Sequence, residues 1–272
     1  MRTLKKHMIA TALIATSATA VVGCSSSTQS GVVGADRKQL LLVSSDQIMQ
    51  ATSQMYAETI SEARQKGTLD VDAAQVRRLK NISNRLIPQT SIYRPDAVNW
   101  RWQVHSIKSN EVNAYVMPGG KIVFYSGIID KLNLTDDEIA AIMGHEMAHA
   151  LREHSREKMS RQMATTGVLG IAASALGLSS GQQQLVGLAQ QLGLDLPHSR
   201  TQEAEADKIG LELMARAGYN PNAAVTLWQK MNAANQSAPP QFLSTHPSSG
   251  TRIKNMQALI PTVMPLYQAA KR

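Results

Sequence analysis

Apolar residues recur along this chain with two different periods. Within Val71–Ile87, the residues Val76, Leu79, Ile82 and Leu86 are spaced to share one helix face. Arg37–Lys66 carries a long helical pattern with neither Pro nor Gly inside it. Between Asn99 and Ile107 the period drops to two. Trp100, Trp102 and Val104 fall on one side and Arg101, Gln103 and His105 on the other, as in a strand. Val112–Met117 and Lys121–Tyr125 are further strand candidates, joined by the turn Pro118-Gly119-Gly120.

The strongest helical signal runs from Thr135 to Met159, opened by a capping box of Thr135 and Glu138. Ser199–Ala217 repeats the device with Ser199 and Gln202, and Gly218 stops it. Asn220-Pro221 opens another helix, and a last one starts near Gly250 with bends expected at Pro261 and Pro265. Residues 162–194 carry no charge and read as a buried helical pair with a polar loop. The pattern predicts a mainly α fold with a small β-sheet.

Composition adds a compartment to this picture. The 272 residues include 43% hydrophobic ones, enough for a sizeable core, which excludes a disordered chain. A basic start (Arg2, Lys5, Lys6) precedes an apolar run from Met8 to Val22, too short for a comfortable membrane span and typical of a secretory signal. That run ends at Gly23-Cys24-Ser25, a lipobox-like site, and Cys24 is the only cysteine. The reading is a signal peptide over 1–23, lipidation at Cys24, a Ser/Gly-rich flexible tether over 24–36 and one domain over 37–272. Ser25 in place of Asp suggests the outer membrane. The net charge of +8 falls by the three cations of the signal segment, so nucleic acid gains no support as a partner.

The chemistry sits in the best helix. His145-Glu146-Met147-Ala148-His149 is H-E-x-x-H. On a helix, i and i+4 lie one turn apart on one face, so both imidazoles reach one metal ion. Glu146, about 100° away, is free to act as a base beside the metal. Zinc in a hydrolytic site takes three protein ligands and a water. A ligand set of the type H-E-x-x-H-x-x-G-x-x-H needs Gly at 152 and His at 155, but Arg152 and Ser155 stand there. Glu203 and Asp207 share a face at the start of a later helix, and Glu205 points elsewhere if Glu203 points at the metal. Spacing alone leaves Glu203 and Glu205 both open as the third ligand. His154, nine residues past His145, falls about 180° round a continuous helix and should face away. His198 reads as a cap or surface residue. Met143, Met147 and Met163 read as core, though they could line a pocket.

HEMAH, then S-R-x-x-E-x-E-A-D over Ser199–Asp207, then H-P-x-x-x-x-R-I over His246–Ile253, together resemble the zinc metallopeptidases grouped with HtpX and the CAAX-prenyl proteases. Asn113–Gly120 also resembles that family's stretch before the active helix. The resemblance covers roughly Val76 to Ile260. The signal, lipobox and short length resemble its periplasmic lipoprotein members, the LoiP type. It implies a zincin-like fold, one Zn2+ held by His145, His149 and Glu203, and Glu146 as catalytic base. It further implies Asp207 as a supporting carboxylate, with His246 and Arg252 beside the metal, where they would stabilise the oxyanion. His246 could alternatively swing onto the zinc. Asn113, Ala114 and Tyr115 belong to a strand that could pair an extended substrate.

These features imply a zinc endopeptidase facing the periplasm, acting on unfolded or misfolded envelope proteins. Other outer-membrane lipoproteins or the β-barrel assembly machinery are possible partners. Two other classes fit the same residues: an envelope chaperone with a gated or silent zinc site, and a zinc hydrolase of a non-peptide envelope substrate.

Overall fold

The computed structural model describes residues 24–166, 197–235, 240–247 and 249–272. A three-stranded sheet lies between helices. Its strands are β3 (Gln103–Ile107), β4 (Ala114–Met117) and β5 (Lys121–Tyr125), in the order β3-β5-β4. β3 runs parallel to β5, with Val104 beside Ile122, and β4 runs antiparallel to β5, with Tyr115 beside Val123. A two-strand ladder pairs β1 (Cys24–Ser25) with β2 (Gln39–Leu40).

Period-two alternation sorts the sheet's side chains onto two faces. One face, with Val123, Ile107 and Met117, packs on helix α1 (Ser45–Gln65) through Ile48, Met55, Tyr56 and Ile60. The other, with Val104, Val116, Ile122 and Phe124, packs on α2 (Ala73–Leu86) and α4 (Asp136–Leu151). A short α3 (Ser126–Lys131) leads from β5 towards α4, and α5 (His154–Thr166) follows α4. Beyond residue 196 come α6 (Arg200–Arg216), α7 (Asn222–Asn235), a single turn α8 (Gln241–Thr245) and α9 (Gly250–Ala270). Helix α4 is buried on nearly all sides because it packs on α2, the sheet, α6 and α7. The mainly α fold with a small sheet is as the sequence pattern requires.

Several local expectations need correction. The helical pattern from Arg37 becomes helix only at Ser45, capped by Ser44 and Gln47, because Gln39–Leu40 is recruited into the β1–β2 ladder. The strand begins at Gln103, not Asn99. A turn of 3-10 helix over Pro95–Asn99 precedes it, and Trp100 and Trp102 stack on each other with centroids 5.6 Å apart. The stretch from Thr135 to Met159 is two helices, broken at Arg152-Glu153, where Glu153 takes a left-handed φ of +50°. Helix α9 runs through both Pro261 and Pro265. Residues 167–196, most of the uncharged segment, lie outside the described residues.

The largest correction concerns 24–36. Ser/Gly-rich composition predicts a flexible tether, yet the described backbone is strapped onto the domain. Val33 and Ala35 enter the core, Gln29 N–H donates to Tyr93 O, and Val32 N–H donates to Glu212. Two small apolar side chains and partners distant in sequence outweigh local chain flexibility. Among the described residues, no helix is long and apolar enough to cross a membrane.

Candidate metal centre

Two helices meet at glycines. Gly144 precedes His145 on α4, and Gly210 lies on α6, two turns after Glu203. A methyl group at Gly210 would stand 2.7 Å from His145 N and 3.0 Å from Gly144 C. Lacking Cβ atoms, the two backbones touch, and this close crossing brings the α6 carboxylates to the α4 histidines. The capping boxes of Thr135 with Glu138 and of Ser199 with Gln202 fix where each helix starts.

Four buried side chains converge there: His145, His149, Glu203 and His246. His145 Nε2 lies 3.1 Å from His149 Nε2 and 3.5 Å from Glu203 Oε2. Glu203 Oε1 lies 3.3 Å from His149 Nε2 and 3.0 Å from His246 Nδ1, which is 3.3 Å from His145 Nε2. Donors about 2.0–2.1 Å from a tetrahedral zinc ion stand about 3.3 Å apart, the edge of the tetrahedron. The donor set, two imidazoles with a carboxylate and a third imidazole, therefore fits a zinc ion in both chemistry and spacing. Glu146 Oε1 lies 3.3 Å from His246 Nε2, on the side of a groove of about 220 Å³ that Glu146, His149 and His246 line.

Outside the donors, His145 Nδ1 lies 3.1 Å from Asp207 Oδ1, at an angle too bent for a good hydrogen bond. Arg252 clamps Asp207 from two nitrogens, Nε at 2.7 Å and Nη2 at 2.6 Å. Its third nitrogen, Nη1, reaches Glu203 Oε2 at 2.6 Å, and its face covers Trp228 at 4.0 Å. Burial opposes ionisation of Glu203, but the positive field of His246 and hydrogen bonds from His145 and His149 hold its carboxyl well below the usual range. Burial also pushes His149 down, leaving it neutral as a metal ligand must be. Glu146 is raised, by burial foremost.

The model of peptidase family M48 matches residues 73–260, more than half of the chain. The chain belongs to peptidase family M48. It is 41% identical over 163 residues to the mitochondrial metalloendopeptidase OMA1 of Schizosaccharomyces pombe, covering 59% of this chain and 47% of that protein. It is 30% identical over 244 residues to the metalloprotease LoiP of Escherichia coli, covering 88% of this chain and 92% of LoiP. A β-barrel assembly-enhancing protease of Yersinia pestis is 25% identical over 208 residues, 72% of this chain and 41% of that one. The chain spans about half the length of the OMA1 relatives it matches.

In this M48 centre the residues singled out in the sequence are partly redistributed. His145, His149, Glu203, Glu146 and His246 meet at one point. Glu205 faces away from them, towards Arg37, Arg152 and His154. Arg252 donates to Glu203, Asp207 and Pro247 O, so in this structure its nitrogens position two carboxylates. Asn113, Ala114 and Tyr115 line the groove, with β4 at the sheet edge. Met143 and Met147 are core, as is Met163.

Two histidines emerge that local reading turned outward. His154 is fully buried because the break at Glu153 rotates it back onto His149. His198, also buried, lays its ring on His149 with centroids 3.9 Å apart, and its backbone N–H donates to Thr245 O. Neither has a local sequence signal, since each contact depends on a chain break or a distant partner. Cys24 pairs with Leu40 through its backbone in the β1–β2 ladder.

Proposed function

We propose that this chain is a zinc-dependent endopeptidase of the bacterial periplasm that cleaves unfolded or misfolded envelope proteins. The observation that carries this reading is the tetrahedral spacing of His145, His149 and Glu203 donors with the Glu146 carboxylate beside them, at the floor of a groove edged by β4. His145, His149 and Glu203 would hold a zinc ion, which would supply polarisation of a peptide carbonyl and acidification of water. Glu146 then takes the proton of the attacking water and hands it to the departing amide nitrogen. Its raised pKa, a consequence of burial, brings its basicity closer to neutral pH. Arg252 keeps Glu203 and Asp207 ionised and in place.

Substrate selection follows from the sheet edge. Tyr125 N–H donates to Asn113 O, so the antiparallel alternation turns the backbone groups of Ala114 and Val116 away from β5. There Ala114 N–H rests on Asn113 Oδ1 at 2.9 Å and Val116 on Glu146 until a peptide strand replaces them. An extended peptide pairs with such groups irrespective of its side chains, which favours chains that have lost their fold. The signal-like start and Cys24 support a lipid anchor, and Ser25 supports the outer membrane as its site. Relatedness to LoiP and to a β-barrel assembly-enhancing protease supports an envelope role, whereas the OMA1 relatives are mitochondrial by name.

A second reading, a chaperone with a gated site, draws on one observation: His246 Nδ1 stands where a fourth ligand would. Casein degradation by the purified chain, stopped by a chelator, restored by zinc and abolished in Glu146→Gln, supports the endopeptidase. Full rescue of an envelope-stress phenotype by Glu146→Gln would favour the chaperone.

A further inference from the structure

His149 is held from behind. Its Nδ1 lies 2.8 Å from Nδ1 of His154, a residue with no exposed surface. At that distance one ring nitrogen must donate and the other accept. His149 Nε2 faces the donor cluster, 3.1 Å from His145 Nε2 and 3.3 Å from Glu203 Oε1, so a metal there requires it bare. The His149 proton then sits on Nδ1 and donates to His154 Nδ1. His154 must carry its own proton on Nε2, where Glu205 Oε2 accepts it at 3.1 Å. The opposite tautomer would put a proton on His149 Nε2, in the metal's place.

Glu205 is itself fixed. Arg37 Nε and Nη2 donate to it at 3.0 and 2.9 Å, and Arg152 Nη2 at 2.9 Å. His154 reaches His149 because the helix breaks between them. On an unbroken helix five residues amount to about 140° of rotation. The break at Glu153 is held by Ser45 Oγ, which donates to Glu153 Oε1, and by Arg156 Nη1 at 2.7 Å from Oε2. His145, by contrast, has a carboxylate, Asp207, directly behind it.

We propose that His154 is a positioning residue for the metal, accepting the Nδ1–H of His149 while Glu205 holds it in the matching tautomer. Outer partners of this kind set ligand orientation and basicity, and losing one typically costs 10–100-fold in metal affinity. This inference rests on the reading of His149 as a metal ligand.

The test is a zinc titration of the purified full chain against a chromophoric chelator, with the unfolding midpoint of each variant measured without metal. His154→Leu is expected to lower zinc affinity about 10–100-fold. His154→Asn places an amide oxygen where Nδ1 stood and is expected to stay within about threefold of the parent, on the scale of that same effect. His154→Gln extends towards the Nε2 position, cannot serve His149, and is expected to fall with the Leu variant. Asn and Gln variants of equal metal-free stability but unequal zinc affinity support positioning over simple packing, even if the Leu variant fails to fold. Equal affinity of the Asn and Gln variants, or parental affinity in His154→Leu, overturns the inference alone. Undiminished affinity in His149→Ala overturns the ligand reading and the inference together.

Discussion

The backbones of Gly144 and Gly210 touch where α4 crosses α6, and a methyl group on Gly210 would stand 2.7 Å from the amide nitrogen of His145. The obstacle is backbone, which cannot swing aside as a flexible side chain would. Gly210→Ala gains about 1 kcal/mol of helix propensity. The overpacking typically costs about 1–3 kcal/mol, and relief requires the helices to part. Since α4 carries His145 and α6 carries Glu203, parting them also spreads the donors. Urea unfolding should show a net loss of stability, and zinc titration a weakened site. Unchanged zinc affinity in a folded Gly210→Ala chain would mean that the crossing does not set the site.

The two α6 glutamates separate ligand from support. Glu203→Ala removes a donor that lies 3.3 Å from His149 Nε2 and should leave the chain unable to hold zinc through dialysis. Glu205→Gln leaves all three donors in place and should retain one zinc per chain at saturating metal. Glu146→Gln should also keep its zinc while losing about 10²–10⁴ in turnover, the usual contribution of a general base. Elemental analysis by mass spectrometry beside a casein assay distinguishes the three. Zinc loss in Glu205→Gln with retention in Glu203→Ala would reverse the assignment.

The parts of this centre that sequence conveys are those governed by helical spacing. H-E-x-x-H places two imidazoles on one face whatever surrounds them, and Glu203 and Asp207 do the same on α6. The three-strand sheet and the capping boxes are equally local. His154 was beyond that logic because the helix stops at Arg152-Glu153 with neither Gly nor Pro, and what holds Glu153 comes in part from Ser45, far back in the chain. The strap after Cys24 fails to show for a related reason. Its Ser/Gly composition is that of a linker, while Arg37 finds Glu157 and Glu205 only through the tertiary fold. For Arg252 the motif conveys nearness to the metal position, while its carboxylate partners Glu203 and Asp207, about 45 residues back, are visible only in the tertiary fold.

The strap should make the protein acid-labile. Burial would raise the Glu157 and Glu205 carboxyls. Hydrogen bonds from Arg37, Gln39 and Arg161 hold Glu157 at about 2, and those from His154 and Arg37 hold Glu205 at about 2. The unfolded chain titrates glutamate near about 4.3. Folded values below the unfolded one mean stability that is complete above about pH 5 and lost as pH falls towards 2. Unfolding free energy of the metal-free chain should decline steadily across that window. Arg37→Met should shallow the decline and lower stability at pH 7 by about 2 kcal/mol, since Arg152 and Arg161 still compensate part of the buried charge. Identical pH profiles for parent and variant would show that the strap's ion pairs do not tie it down.

His246 would decide whether a metal-loaded centre is open. It follows the α8 turn, stacks on Phe242 with centroids 4.5 Å apart, and directs Nδ1 at Glu203 and His145. Its other nitrogen contacts Glu146, so one ring would cover both the fourth position, or vertex, of a metal held there and the base. A substrate carbonyl or a small zinc-binding probe such as acetohydroxamate must first displace that ring. Apparent affinity is then the intrinsic affinity reduced by the fraction of molecules in which the vertex is free. His246→Ala retains three donors and should keep zinc, while freeing the vertex permanently. Hydroxamate should therefore bind the zinc-loaded variant about tenfold more tightly than the parent, which corresponds to a ring seated in roughly nine molecules of ten. Equal affinity in the two would place His246 off the vertex in solution and remove the physical basis for a gate.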